Sequence, residues 1–216
     1  MKQQKTFIFD LDGVIVDTAK YHFWAWKKVA DQLGIEFTQQ HNELLKGVSR
    51  IRSLEIILEL GHQQISDSEF ETLLAQKNAD YLSYIEKMDE SEILVGVLDT
   101  LEFIRQKGWK IVLGSASKNA QPILVKTGLL PFFDAIVDGN DVSKAKPDPE
   151  VFLTGAAKVQ ALPEQCIVFE DSVAGIEAAN IAGMTSIGIG DSSVLSKAQY
   201  VFKNFTEITK EFLEIV

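Results

Sequence analysis

The chain has 216 residues, 46% of them hydrophobic, and a formal net charge of −10 from 21 basic and 31 acidic side chains. That length supports one large domain or a core carrying an insert, and no apolar run approaches the roughly 18–20 residues of a membrane span. So acidic a balance argues against a general nucleic-acid binder, and an anionic substrate would need local cations to overcome the global field.

The opening residues Met1-Lys2-Gln3-Gln4-Lys5 lead into a short apolar run, without the long apolar stretch and small-residue cleavage site of a signal peptide. A cytoplasmic protein is expected. Residues 6–9 read as a buried strand. Asp10 and Asp12 follow where that strand should end, with Gly13 behind them. In an extended chain residues i and i+2 point to one side, so the two carboxylates can converge above the sheet edge. Gly13 lets the backbone turn sharply. Two acids in such a place are costly unless a cation or a reaction needs them.

Residues 17–92 carry no strand pattern. Helical periodicity predicts helices over 19–33, 39–45, 50–60 and 66–88, and Ser66-Asp67-Ser68-Glu69 has the form of a capping box. Beyond this block, strands are expected at 110–114, 135–137, 166–169 and 185–188. Helices at 97–106, 120–126, 149–159 and 173–182 fill the gaps. Gly108 and Gly183 fall just past helical runs, and Pro149 suits a first helical turn. The alternation predicts an α/β fold with a doubly wound parallel sheet, formed by residues 1–16 and 93–216. Residues 17–92 would then be an inserted small α-helical cap domain over the strands' carboxyl ends, where open α/β sheets bind ligands. The single cysteine, Cys166, sits in an apolar run and is expected to be a buried structural thiol. No intramolecular disulfide is possible, which fits a reducing compartment.

Polar residues cluster at the expected strand ends: Asp10 and Asp12, Ser115, Lys146 before Pro147, and Glu170 with Asp171. Parallel strands would gather them on one rim. The carboxylates would repel one another if all were ionised and unpaired, and a hard cation resolves this. Carboxylate, carbonyl and water oxygens suit Mg2+, which commonly takes the rest of its shell from substrate phosphate. Lys146 and Ser115 could hold the other phosphate oxygens. Asp10 is then a candidate nucleophile forming an acyl phosphate, and Asp12 a candidate general acid and base. No Gly-x4-Gly-Lys-Ser/Thr loop, Gly-x-Gly-x-x-Gly turn after a strand, or His-Glu-x-x-His helix is present. Alone, Asp-x-Asp fits a calcium loop or turn, and Glu170-Asp171 fits a helix N-terminus.

Jointly, Asp10-Leu11-Asp12-Gly13, Ser115, Lys146-Pro147 and Glu170-Asp171-Ser172 resemble the haloacid dehalogenase (HAD-like) superfamily of aspartyl phosphotransferases, in order and over nearly the whole chain. The fold implied is a HAD-like Rossmannoid core with a helical cap. Narrower stretches resemble the β-phosphoglucomutase family within it: Thr18 with His22-Phe23-Trp24-Ala25-Trp26, the loop Leu45-Lys46-Gly47-Val48-Ser49-Arg50, Lys77-Asn78, and Ser115-Ala116-Ser117-Lys118-Asn119. Those enzymes interconvert β-glucose 1-phosphate and β-glucose 6-phosphate through β-glucose 1,6-bisphosphate.

The resemblance implies that Asp10 carries the phosphoryl group and that Asp10, the Asp12 carbonyl, Glu170 and Asp171 hold Mg2+. It implies that Lys146, Ser115 and amides near Leu11 and Ala116 hold the transferring phosphate. Arg50, Ser117, Lys118 and Asn119 would hold the sugar's other phosphate, beside the cap loop of Gly47, Val48 and Ser49. His22 and Lys77 would couple binding to placement of the acid/base, with Thr18 and Trp26 supporting hinge and cap. Taken singly, His22 reads as a packed or surface histidine, Trp26 as core, Lys77 as a solvated helix charge and Arg50 as a helix start. Two departures stand out: Ile51-Arg52 where the family usually carries acids, and Val95-Gly96 where it has Pro-Gly. They bear on cap electrostatics and hinge stiffness. Small sugar phosphates are the expected partners of a monomer, with no nucleic acid and no membrane. The rivals are a sugar-phosphate phosphatase on the same scaffold and a phosphate-sensing binding protein without catalysis.

Overall fold

In the computed structural model, which describes residues 4–216, six strands form one sheet in the order β3-β2-β1-β4-β5-β6. They are β1 (Thr6–Phe9), β2 (Lys110–Gly114), β3 (Ala135–Val137), β4 (Cys166–Glu170), β5 (Thr185–Ile189) and β6 (Tyr200–Phe202), and every pairing is parallel. The first three residues of the stretch read above as lacking a leader, Met1 to Gln3, lie outside the described residues. Among those described, no helix is long and apolar enough to cross a membrane.

The alternation of β1 explains the layers. Phe7 and Phe9 point to one face and Ile8 to the other, and all three are fully buried. Phe7 and Phe9 join a cluster with Leu101, Ile104, Leu113, Ile123, Phe169 and Phe205, under α5 (Val97–Gln106), α6 (Ala120–Lys126) and α9 (Lys210–Ile215). Ile8 joins Val112, Val137, Phe152, Val168, Ala178 and Met184, under α7 (Glu150–Lys158) and α8 (Val173–Ile181). A parallel sheet covered on both faces needs largely apolar strands, and β1 and β4 are buried along their whole length, apolar but for Thr6 and Glu170 at their ends.

The strand order reverses beside β1. After β1 the chain builds outward through β2 and β3, then returns to place β4 on the other side of β1. Phe9 lies level with Leu113 and Phe169. The residues just beyond, Asp10 and Glu170, therefore meet at the crevice where such sheets bind ligands.

Between β1 and α5 lie α1 (Ala19–Gln32), α2 (Gln39–Glu43), α3 (Arg50–Leu60) and α4 (Asp67–Ile85). This block has its own apolar cluster, including Trp26, Val29, Phe37, Leu54, Ile57, Leu73 and Leu74. Two paired segments join it to the sheet layer: Val16 bridges Ile93, Asp17 N–H donates to Glu92 C=O at 2.8 Å, and Leu94 N–H donates to Ile15 C=O at 3.1 Å.

The expected elements differ from the structure mainly at their ends. The helix expected over 66–88 starts after Ser66, whose hydroxyl caps it by accepting from Glu69 N–H at 3.3 Å, and stops at Ile85. The one expected over 39–45 stops at Glu43, and Pro149 precedes α7 as its cap residue. Strands β4 and β5 each run one residue past their expected ends, to Glu170 and Ile189.

β6 and α9 were not foreseen from the sequence. They are short, and their apolar residues matter only where the fold folds them back: Phe212 packs edge-on to Tyr200 and Phe202. Phe205, just past β6, is buried against Phe9 and Phe169, with ring centroids 6.1 and 5.2 Å away. Phe205→Ala is expected to lower stability by about 3–5 kcal/mol, as for other buried aromatic truncations. The exposed Leu98→Ala should cost well under 1 kcal/mol. Urea midpoints of the two variants check this.

Candidate active site

The rim above β1 and β4 holds a buried ion cluster. Lys146 Nζ lies 2.6 Å from Asp10 Oδ1 and 2.8 Å from Glu170 Oε2, and all three side chains are buried. The other oxygen of Glu170 accepts from Ser172 Oγ at 2.6 Å and from Ser172 N–H at 3.2 Å. Asp171 pairs with Lys46 at 3.2 Å. Burial, reinforced by the Glu170 charge, pushes the Asp10 carboxyl well above the usual carboxylate range against the pull of Lys146. Burial likewise pushes Asp171 up to about 7, against Lys46. Lys146 is held above the ordinary lysine range: burial opposes its charge, but Asp10 and Glu170 together outweigh it.

One oxygen from each of Asp10, Glu170 and Asp171 can be found within 4.8 Å of the others. An all-oxygen set of converging carboxylates, two of them pushed toward protonation, could hold a hard cation. Gly13 lets the chain pass this cluster. Its φ is +80°, and a Cβ there would stand 2.3 Å from Asp171 Oδ2.

Asp12 faces a different set. Its Oδ1 accepts from the Thr18 hydroxyl and from Tyr81 OH at 3.3 Å. Thr18 precedes α1 yet makes no side-chain cap bond, because its hydroxyl is spent on Asp12. His22 Nε2 stands 3.5 Å from the same oxygen. We treat that as an electrostatic contact, since it is long for a hydrogen bond and Nε2 is buried without a hydrogen-bond partner. Lys77 Nζ lies 2.9 Å from His22 Nδ1. A charged lysine can only donate, so Nδ1 accepts and the ring proton is assigned to Nε2, toward Asp12. Burial works to raise the Asp12 carboxyl, but His22, the Thr18 hydroxyl and the Lys77 charge bring it below its usual value. Burial and Lys77 lower His22, so that its neutral form is favoured. Burial, with Arg50, lowers Lys77 to about 7 against the pull of Asp12.

Both groups open onto one cavity of about 810 Å³ between the helical block and the sheet rim. Of the residues singled out from the sequence, Asp10, Asp12, His22, Trp26, Gly47, Val48, Ser49, Arg50, Lys77, Ala116, Ser117, Lys118, Asn119, Lys146 and Asp171 line it. Thr18, Ser115 and Glu170 stand behind the wall, each fully buried. Ser115 Oγ accepts from Ser117 N–H at 3.1 Å and so shapes the loop in front of it. The wall carries Lys46, Arg50, Lys77, Lys118, Lys144 and Lys146 against Asp10, Asp12, Glu71 and Asp171. The cavity is thus locally cationic in an acidic protein.

The helical block sits directly on the rim. Gly47 has φ +73°, and a Cβ there would come within 2.4 Å of Ser172 Oγ. Asn119 Nδ2 donates to Asn78 Oδ1 across the cavity at 3.1 Å. Lys46 belongs to the loop 45–50 quoted above, but its pairing with Asp171 was not anticipated, and no motif marks Tyr81. Tyr81 lies four residues after Lys77, hence on the same face of α4, and that spacing was the available signal. Arg52, one of the two departures, is spent on Glu55 and Glu59 at 3.0 and 2.7 Å on the outer surface, whereas Ile51 lines the cavity.

A parallel sheet with its strand order reversing at a buried acid-lysine cluster, roofed by helices, defines a doubly wound α/β protein with its candidate site at the switch point. Residues 4–183 match the family model of haloacid dehalogenase-like hydrolases, and the chain belongs to that family. It is 42% identical to a β-phosphoglucomutase of Bacillus subtilis over 97% of this chain and 93% of that one. A solved β-phosphoglucomutase from Clostridium difficile superposes with a TM-score of 0.93 at 40% identity, covering 98% of this chain and 96% of that one. A phosphorylated carbohydrates phosphatase of Thermotoga maritima is 32% identical over 83% of this chain and 82% of its own.

The lowered Lys77 sets a pH dependence. A lysine in the unfolded chain keeps its ordinary value near 10.5. Below about pH 7 both states are protonated and the desolvation cost is fully present. Between about 7 and 10.5 the unfolded state binds more protons, so this contribution to stability rises with pH by up to about 1.4 kcal/mol per unit. Lys77→Met removes it. Its stability relative to the parent should be about 2 kcal/mol more favourable at pH 6 than at pH 9, measured by urea unfolding at both. No change with pH would contradict the assignment.

Proposed function

We propose that the chain is a β-phosphoglucomutase, interconverting β-glucose 1-phosphate and β-glucose 6-phosphate through β-glucose 1,6-bisphosphate. The observation that carries this is a single cavity joining a phosphoryl-transfer set, Asp10, Asp12 and Lys146, to a second cationic set, Arg50 with Lys118. A sugar with a phosphate at each end needs both. The 42% identical relative supports the same reading.

In the first half-reaction, on the 1,6-bisphosphate, an Asp10 carboxylate oxygen bonds to phosphorus as the bond to one sugar oxygen breaks and the sugar monophosphate departs. The departing oxygen takes its proton from Asp12. In the second, Asp12 removes a proton from the acceptor hydroxyl, that oxygen attacks phosphorus and the Asp10 carboxylate is released. Lys146, already 2.6 Å from Asp10, balances charge on the transferring group, with Ser115 and the amides near Leu11 and Ala116. Arg50, with Ser117, Lys118 and Asn119, binds the sugar's other phosphate through paired charge-assisted bonds.

Mg2+, held by the carboxylates of Asp10, Glu170 and Asp171 and the Asp12 carbonyl, supplies neutralisation of phosphate charge when bound. Residues 17–92 act as the cap, with Thr18 at the hinge. The loop at Gly47, Val48 and Ser49 and the packed Trp26 seat the cap so that water is kept from the aspartyl phosphate. His22 and Lys77 link that seating to Asp12. The working form is a cytoplasmic monomer acting on small sugar phosphates, without a nucleic-acid or membrane partner.

The test supplies β-glucose 1-phosphate, Mg2+ and a trace of the 1,6-bisphosphate, and follows glucose 6-phosphate and free phosphate together. Glucose 6-phosphate should dominate; stoichiometric free phosphate with no isomer would identify a phosphatase instead. Asp10→Asn should lose at least about a thousandfold in rate. Arg50→Ala should lose about ten- to a hundredfold in kcat/KM for the sugar phosphate, with little change for a small phosphodonor. Equal losses on both would remove the clamp from Arg50.

A further inference from the structure

Tyr81 is the largest fully buried side chain of the protein, and no motif marks it. It does not line the cavity, yet it touches the acid/base and two of the groups placed around it. Its hydroxyl donates to Asp12 Oδ1 at 3.3 Å. Its ring centroid lies 4.2 Å from that of His22 and 4.6 Å from Lys77 Nζ.

Two details give these contacts meaning. Tyr81 and Thr18 donate to the same Asp12 oxygen, Oδ1, one from the helical block and one from the segment joining it to β1. Among the described residues Oδ2 has no hydrogen bond, so it is the oxygen left to exchange a proton with substrate. Lys77, for its part, is buried but forms no ion pair among the described residues. Its ammonium rests on the Trp26 ring at 5.0 Å, the Tyr81 ring and His22 Nδ1. The charged groups facing it are Arg50 and Asp12, with His22 between. A buried ammonium without a carboxylate needs such π faces to remain charged at all.

We propose that Tyr81 is a positioning residue with two separable parts: its hydroxyl orients Asp12 for proton transfer, and its ring, with Trp26, holds the Lys77 ammonium against His22. The hydroxyl part rests on Asp12 being the acid/base, as read above. Because Tyr81 comes from α4 and Asp12 from the sheet side, the acid/base is correctly oriented only while the helical block is seated.

Tyr81→Phe and Tyr81→Leu separate the parts, with Trp26→Leu as a second probe of the π faces. Tyr81→Phe should lower kcat for β-glucose 1-phosphate about tenfold or more, with KM nearly unchanged, since one hydrogen bond to a charged group is lost and no substrate contact is. A lysine-selective NMR titration should find its Lys77 midpoint unmoved. In Tyr81→Leu and Trp26→Leu that midpoint should fall by about half a unit to one unit. A parental kcat in Tyr81→Phe overturns the hydroxyl part. An unmoved Lys77 midpoint in folded Tyr81→Leu overturns the ring part, and Trp26→Leu decides it if Tyr81→Leu does not fold. Should the parent enzyme release only free phosphate, the mutase reading fails, while the rate of that release in Tyr81→Phe still tests Tyr81.

Discussion

The contact on which the site depends is Lys146 lying between Asp10 and Glu170. It is the buried cation that lets two carboxylates share the crevice beside β1. Removing one partner of such a group leaves an uncompensated buried charge, which costs far more than the pair contributes. The surrounding structure is arranged to keep it satisfied. Ser172 occupies the second oxygen of Glu170, β1 and β4 are in direct register, and the loop before α7 delivers the lysine from beyond β3. With Asp171 close by, three carboxylates face two lysines, Lys146 and Lys46, and the cluster retains a demand for positive charge. That residual demand makes it a place for a divalent cation and an anionic group together.

The second constraint is that the cavity wall is drawn from two parts of the chain. The sheet rim supplies Asp10, Lys146 and the loop at Ser117, Lys118 and Asn119. The helical block supplies His22, Arg50 and Lys77. Polar contacts cross the boundary, Lys46 with Asp171, Asn78 with Asn119 and Tyr81 with Asp12, beside apolar ones in which Ala25, Tyr81, Ile85 and Met88 join the sheet's buried cluster. Polar contacts of this kind are exchangeable with water at modest cost, unlike a large apolar interface. The block's own apolar cluster lets it hold its shape independently of them.

Much of this was legible in the sequence because the signals are local. A strand ending in Asp10-Leu11-Asp12-Gly13 needs only the period-2 rule and the freedom of glycine to announce two acids at an edge. Strands at 110–114 and 135–137 and helices at 97–106 and 120–126 were bounded correctly because glycines and polar residues punctuate them. Elements at 200–202 and 210–215 escaped because a three-residue edge strand and a six-residue helix are too short to show a periodicity. Tyr81, and the partner of Lys46, escaped for another reason. The significance of Tyr81 and Lys46 lies in what they face, Asp12 and Asp171, and those partners are 69 and 125 positions away in the chain.

The sequence by itself determined the fold class, the family resemblance and the residue types at each strand end, since these follow from short-range patterning and spacing. Only the tertiary structure decided how the charges are shared. It placed Lys146 between Asp10 and Glu170, left Lys77 on aromatic faces without a carboxylate, and turned Asp12 toward Thr18 and Tyr81. The reason is that burial sets the energy of a charge and packing sets its partners, and both depend on segments that meet only when the chain has folded.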